Sequence, residues 1–162
     1  MALRLQVVDQ AALPAVAWRW EPETDILAGV VRPVPTGGAA GTLELSGLDG
    51  SVAVVDLAGG IIVGLDIVVW PEVQTVPGLA APSPTRQGAI RVGGEQGDTL
   101  DLEMALAVRV DPAEDLIHLR VGAPRPTTTV QVADRLLVEI DEAGGLAGFW
   151  LSSVPPLQIE EE

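Results

Sequence analysis

The sequence predicts an all-β protein, in which two tandem repeats of a small antiparallel β unit pack as a pseudo-twofold sandwich or as a barrel-like single domain. Short apolar runs separated by Gly, Pro and Asp are typical of strands joined by turns. Leu43-Glu44-Leu45 and Val108-Arg109-Val110 alternate with the period of two that strands have. Similarity between the two halves of the chain predicts that one unit is used twice.

The similarity is clearest between residues 15–31 (AVAWRWEPETDILAGVV) and residues 105–121 (ALAVRVDPAEDLIHLRV). Identical residues concentrate at turn-forming positions and apolar residues replace one another freely, as expected of a shared backbone with a repacked core. Residues 56–60 (DLAGG) likewise match residues 141–145 (DEAGG). Beyond this turn, with one residue fewer in the second copy, the two halves align again at a shared glycine.

Four segments follow from this duplication. They are a first β repeat (1–71), a proline-rich connector (72–88), a second β repeat (89–157) and an acidic tail (158–162). The connector contains Val73, Val76 and Leu79, so we expect it to lie on the surface of the core rather than extend into solvent.

Each repeat divides into six predicted strands. In the first repeat they lie near 3–8, 14–21, 26–32, 42–46, 51–56 and 61–69, and in the second near 89–92, 99–111, 115–121, 128–133, 135–141 and 145–152. Residues 130–140 also fit a helical stripe. Their counterpart, residues 50–56 (GSVAVVD), contains three β-branched valines and begins with a glycine, which favours strands in both repeats.

The repeated positions are those that turns require. Aspartate accepts hydrogen bonds from backbone amides inside a turn, proline fixes φ, and glycine adopts the left-handed conformation. The predicted turn residues are Pro22, Asp25, Asp56, Gly59, Gly60, Pro112, Asp115, Asp141, Gly144 and Gly145.

These motifs resemble a family of short bacterial β-rich domains of unknown function, with the pattern Tyr-Asp-Pro-Glu-Ala-Asp-Ala-Leu-Tyr-Ile and then Asp-Gly-x-Ile-Val-Gly-Ile-Glu-Ile. The first half matches at 20–27 (WEPETDIL) and 60–67 (GIIVGLDI), the second at 110–117 (VDPAEDLI) and 145–151 (GLAGFWL). The second half departs from the pattern at Trp150, which replaces the usual acid. The resemblance implies a small β fold and assigns no activity and no functional residue.

Composition excludes several classes of function. The chain has nine arginines, no lysine and 23 acidic residues, with a formal charge of −14, which argues against nucleic-acid and membrane partners. It has no cysteine, which excludes disulfides, a cysteine-ligated zinc site and a thiol nucleophile. No segment approaches the length of a membrane helix or of a signal peptide's apolar core, and we expect a cytoplasmic protein.

No catalytic residue, metal site or cofactor is predicted. The weak candidates for binding are Asp25, Asp115 and His118. The two aspartates occupy corresponding positions and form a pseudo-symmetric acid pair or a calcium site in one interpretation, and stabilise turns in the simpler one. His118, the only histidine, is a candidate base, but the simpler interpretation is a histidine at the surface or rim of a strand.

The function predicted is that of a non-catalytic structural or protein-interaction module. Strands such as residues 61–69 are apolar on both faces, so the other copy, the connector or another subunit must cover the second face. We therefore expect a homo-oligomer or a place in a larger protein assembly, such as the shell of a particle. The alternative is a small-molecule-binding protein or hydrolase with an acidic site between the repeats, which uses Asp25 or Asp115 with His118.

Overall fold

A computed structural model describes residues 4–10, 12–21, 23–32, 40–93 and 99–155, and these residues form fifteen strands, one 3-10 turn and no α-helix. The strands are β1 (Arg4–Val8), β2 (Ala15–Trp20), β3 (Leu27–Arg32), β4 (Ala40–Ser46), β5 (Val52–Ala58), β6 (Ile61–Val69), β7 (Val73–Thr75), β8 (Arg86–Gln87), β9 (Ala89–Gly93), β10 (Thr99–Glu103), β11 (Leu106–Asp111), β12 (Leu116–Val121), β13 (Thr127–Ala133), β14 (Leu136–Asp141) and β15 (Leu146–Leu151). The prediction of an all-β protein is confirmed.

The strands form two open sheets. The first sheet has the order β1-β9-β6-β5-β4-β10, with β3 paired to β6 and β2 to β3, and the second has the order β7-β11-β12-β15-β14-β13-β8. Neither sheet closes on itself, so the barrel-like alternative is wrong. Both sheets are mixed rather than purely antiparallel, because β10 runs parallel to β4, β7 to β11 and β8 to β13.

The predicted strand over residues 99–111 is in fact two strands that belong to different sheets. The chain leaves β10 in the first sheet at Glu103 and enters β11 in the second sheet at Leu106. The amide of Met104 still donates to Ser46 O at 3.1 Å, so the change of sheet occurs within two residues. The first sheet therefore contains β9 and β10, which come from the segment predicted as the second repeat.

Five strands of each half follow the same order. In the first sheet this order is β2-β3-β6-β5-β4, and in the second it is β11-β12-β15-β14-β13. The registers also correspond, since Val30 lies opposite Gly64 while Arg120 lies opposite Gly148. The alignment of these two glycines is the one expected from the sequence.

The prediction that Asp56 is a turn residue is wrong. Asp56 lies inside β5, opposite Gly64, and the residue in the corresponding place of the second half is Glu139, opposite Gly148. The error arises because the two DxxGG segments do not occupy corresponding places: Asp56 corresponds to Glu139 and not to Asp141. The first turn is the tight Gly59-Gly60 pair, with φ of 58° and 82°.

The second turn is longer, because β14 ends at Asp141 and β15 begins at Leu146, which leaves four residues between these strands instead of two. Ile140 lies opposite Leu146 in the second half. Asp141 stays at the turn, where Oδ1 accepts from the amides of Ala143 at 2.9 Å and Gly145 at 2.8 Å. Gly144 has a φ of 83°, which favours glycine. Pro22, another predicted turn residue, lies outside the described residues, as do residues 33–39 and the tail over 158–162.

One apolar core contains residues from both sheets. Leu27, Leu43 and Leu65 of the first sheet and Leu119 and Phe149 of the second are at most 1% exposed and belong to the same cluster. Hydrogen bonds also join the sheets: the indole of Trp18 donates to Ser152 O at 3.0 Å, and the amide of Val16 donates to Asp134 Oδ1 at 2.9 Å.

The connector crosses the second sheet from one edge to the other. It begins with β7 beside β11 and ends with β8 beside β13. Between these strands Leu79, 8% exposed, belongs to a separate apolar cluster with Leu116 and Trp150. The connector thus covers apolar residues of the second sheet that the shared core does not reach, as its composition predicts.

Within the described part of the chain, no helix combines the length and the apolar character needed to cross a bilayer.

Replacing Leu79 by alanine is expected to lower the free energy of unfolding by about 2 kcal/mol, because it removes the connector's buried contact with Leu116 and Trp150. Leu48→Ala is the matched control, since Leu48 is 70% exposed, and we expect a change within about 0.5 kcal/mol. Urea unfolding followed by tryptophan fluorescence measures both. Equal effects of the two substitutions would contradict the role of Leu79.

Candidate functional site

A cleft lies at one end of the molecule, where the β2–β3 and β11–β12 turns meet. It has a volume of about 480 Å³, in the range of ligand sites in other proteins. Its walls are mostly apolar. It is lined by Trp20, Asp25, Trp70, Val73, Val110, Asp111, Pro112, Asp115, Leu116, Ile117, Val154 and Pro155.

Two stacked tryptophans form one wall of this end cleft. The rings of Trp20 and Trp70 have centroids 5.6 Å apart and an interplanar angle of 24°. Trp20 Nε1 donates to Pro155 O at 2.6 Å, and Trp70 Nε1 donates to Asp25 O at 2.7 Å. Because the backbone satisfies both N–H groups, the pair can offer apolar ring surface to a ligand without leaving an indole donor unpaired.

The end cleft brings together the two aspartates that the sequence singled out. Asp25 and Asp115 end corresponding turns, have φ of 57° and 52°, and are both exposed. Asp115 follows the 3-10 turn Pro112–Glu114, and its carbonyl accepts from the amide of Val154 at 3.1 Å. The aspartates thus serve turns and also line one site.

Asp111 is a lining residue that also has a structural role, the capping of a single helical turn that its position before Pro112 suggests. It is 4% exposed, and its carboxylate accepts from the amide of Ala113 at 3.2 Å, capping the 3-10 turn. The other carboxylate oxygen accepts from the amide of Gly78 at 3.0 Å. One side chain therefore fixes both the turn at the cleft and the connector.

His118 lies elsewhere, at a second cleft of about 360 Å³ on the second sheet. The prediction that it is a surface or rim histidine is wrong, since it is 3% exposed. Its ring stacks on Trp150, with centroids 4.2 Å apart, and Trp150 is itself packed under Leu79 of the connector. The connector accounts for this burial, because it covers the strand beside His118.

Both ring nitrogens of His118 are engaged. Arg109 lies 2.9 Å from Nδ1 and has only donors, so Nδ1 accepts and the ring proton is on Nε2. Nε2 then donates to Glu139 Oε1 at 2.6 Å. Burial alone would raise the pKa of Glu139, but the hydrogen bonds that its carboxylate accepts from His118 and Thr127 outweigh burial and lower the pKa.

The two clefts do not share the residues that the hydrolase alternative needs. Asp25 and Asp115 line the end cleft, whereas His118 lines the second cleft and has its nitrogens occupied. Among the residues that the structure describes, no group of three or more His, Cys, Asp or Glu side chains could hold a metal ion. The structure therefore does not bring His118 together with Asp25 or Asp115 in one site.

The first sheet has an acidic pair in the place that corresponds to the His118 cluster. Asp56 corresponds to Glu139, and Asp66, opposite Ala28, corresponds to Trp150, opposite His118. Burial, followed by the neighbouring Asp56 carboxylate, raises the pKa of Asp66 to about 6. Burial also raises the pKa of Asp56, against a hydrogen bond with Asp66 that lowers it.

Sequence reasoning missed Asp66, Glu139 and Arg109 as members of polar clusters. A signal was present in the family pattern, because Trp150 replaces an acid at the position that Asp66 occupies in the first half. Which side chains face one another across the sheet depends on strand register, and the misaligned Asp56 hid the correspondence.

No protein-family model matches the chain, and no curated protein matches it significantly.

Asp66→Asn is expected to stabilise the protein at neutral pH by about 1 kcal/mol, a value reduced for the partial exposure of the side chain. The folded-state pKa is raised, so between about pH 4 and pH 6 the folded state holds more protons than the unfolded state, and wild-type stability falls as pH rises. The variant lacks this loss, so its advantage should vanish below about pH 4.

Melting temperatures measured from pH 3.5 to pH 8 test this expectation. Glu44→Gln on the adjacent strand β4 is the control, since it removes a carboxylate from the same sheet without touching the Asp56–Asp66 pair. A stabilisation of the Asp66 variant that is constant across the range would show that repacking, and not protonation, is responsible.

Proposed function

We propose that the chain is a non-catalytic protein-interaction module that receives an apolar side chain of a partner protein in the end cleft. The observation that carries this proposal is the Trp20–Trp70 stack, which has both indole N–H groups satisfied by backbone carbonyls. Tryptophan is one of the residue types enriched at the energetic centres of protein interfaces. An apolar anchor that displaces water from these rings gains affinity without leaving a polar group unpaired.

The proposal includes a duplicated β unit whose copies face each other about a pseudo-twofold axis. The shared strand order and the corresponding registers of Gly64 and Gly148 support it. The end cleft supports it as well, because Asp25 and Asp115 occupy corresponding positions and line the same site. In this interpretation the cleft is where the corresponding turns of the two copies meet.

The negative charge around the end cleft indicates which residues the partner presents beside its apolar side chain. Asp25 and Asp115 are exposed at the site, in a chain with a formal charge of −14. A cation near these carboxylates and the tryptophan rings is attracted by both. We therefore expect the partner to present an aliphatic or aromatic anchor next to a lysine or arginine.

Several sequence-based expectations remain part of this proposal. A homo-oligomer or larger assembly is one, and the half-exposed valines of the first sheet, such as Val30 at 41%, are a surface for it. A cytoplasmic location, the absence of nucleic-acid and membrane partners, and the resemblance to short bacterial β-rich domains stay predictions.

A photo-crosslinking amino acid at Val73, which lines the end cleft and is 44% exposed, is expected to yield a covalent adduct with a protein of the source organism. The same group at Leu48, which is 70% exposed and outside the cleft, is the control and should not yield it. Converting both Asp25 and Asp115 to Asn should reduce the adduct. If native mass spectrometry instead finds a bound small molecule and Val73 gives no protein adduct, the small-molecule-binding alternative replaces the proposal.

Simple probes test the chemistry of the cleft directly. Hexylammonium should shift the indole N–H resonances of Trp20 and Trp70 at lower concentration than hexanol, and hexanoate should bind most weakly. The three probes share an apolar alkyl chain, and their head groups are positive, neutral and negative. Trp70→Ala should abolish the response of Trp20. Equal binding of hexylammonium and hexanoate would contradict the role given to the aspartates.

A further inference from the structure

Arginines are concentrated at the second cleft. Three of the chain's nine arginines line it, although the protein as a whole is acidic. The lining residues are Arg109, His118, Arg120, Ala123, Pro124, Arg125, Thr127, Glu139 and Ala147. A cationic cleft on an acidic protein attracts anions locally even where the overall charge repels them.

Arg125 is committed to structure. Its Nε donates to Asp141 Oδ2 at 2.9 Å, and its terminal nitrogens donate to the carbonyls of Val121, Ala123 and Leu146 at 2.8–2.9 Å. The guanidinium thus ties the β14–β15 turn to the segment after β12. It forms a fixed wall of the cleft and is neutralised by Asp141.

Arg109 and Arg120 retain donor capacity. Arg109 lies opposite His118, and Arg120 is two residues beyond His118 on β12, so both lie on the same face of the sheet as diagonal neighbours. Arg109 uses one terminal nitrogen on His118, and Arg120 uses Nε on Gly122 O at 3.1 Å. Within the described ranges, neither forms an ion pair with a carboxylate.

The carboxylate that lines the cleft, that of Glu139, already accepts hydrogen bonds from neighbouring side chains. Glu139 accepts from His118 at 2.6 Å and from the hydroxyl of Thr127 at 3.4 Å. With Arg125 and Asp141 neutralising each other, two guanidinium groups and one carboxylate leave one uncompensated positive charge. Like charges this close on one sheet face are unfavourable unless an anion joins them.

The site is also held in place before a ligand arrives. The guanidinium carbon of Arg109 lies 5.9 Å from the centre of the Trp150 ring, which stacks on His118 and is covered by the connector. Arg109 therefore contacts both an aromatic ring and an imidazole, and these contacts limit the side-chain freedom that is lost on binding.

We propose that the second cleft binds a small oxyanion, a phosphate or carboxylate group, between Arg109 and Arg120. Guanidinium groups pair with such oxyanions through parallel N–H donors, and one net positive charge suits a singly or doubly charged group. The corresponding place in the first half is unsuitable, because Arg19 pairs with Glu21 at 2.7 Å and the Asp56–Asp66 carboxyls lie nearby.

Titration with inorganic phosphate and with succinate, at ionic strength held constant with sodium chloride, tests the proposal. Amide resonances of Thr127 and Gly148 should shift and saturate, and the tighter of the two probes identifies the preferred group. Arg120→Gln should weaken binding about tenfold, the loss of one charge-assisted hydrogen bond. Arg19→Gln is the control. Arg19 occupies the place in the first half that Arg109 occupies in the second and does not line the second cleft, so this variant should bind as the wild type does.

Two results would overturn the proposal. One is the absence of saturable shifts at the cleft with either probe, and the other is equal binding by the wild type and the Arg120→Gln variant. Arg120→Lys, which keeps the charge without the planar fork, guards against a folding defect in the glutamine variant, and intermediate affinity supports the site. None of these measurements involves the end cleft, so the proposed interaction function stands or falls separately.

Discussion

The need to cover both faces of the apolar strands is the constraint on which the rest of this structure depends. Each of the two sheets buries one of its faces in a shared core, which includes Leu27 and Phe149. The connector then covers part of the second sheet's other face through Leu79. Since that cover lies over Trp150, it also buries His118, whose ring stacks on Trp150 and contacts Arg109.

Two corresponding glycines let polar side chains lie flat against each sheet. A β-carbon on Gly64 would lie 2.8 Å from Asp56 Oδ2, and one on Gly148 would lie 3.4 Å from His118 Nε2 and 2.8 Å from Leu119 O. The same backbone arrangement therefore supports a carboxyl pair in one half and a histidine–glutamate–arginine cluster in the other. The two halves thus differ in the charge of this site, although both leave space for polar side chains.

Much of the fold followed from local signals, and most of the site did not. Strand periodicity and turn residues predicted the β class and most strand positions, because both are properties of adjacent residues. The break at Met104 was missed because residues on both sides of it are strand-like, and only pairing with different sheets separates them. Asp25 and Asp115 were found from sequence, but their meeting in one cleft with Trp70 depends on how the sheets pack. The burial of His118 likewise required a segment about forty residues away in the chain.

The path of the connector has a consequence for how copies of this protein can meet. Its two ends, β7 and β8, occupy both edges of the second sheet and contain three and two residues. Such short outer strands offer few unpaired backbone donors and acceptors, so they make poor templates for a strand from a neighbouring molecule. The second sheet is thereby guarded against edge-to-edge growth into fibrils, and docking onto it must involve side chains on its faces or its turns.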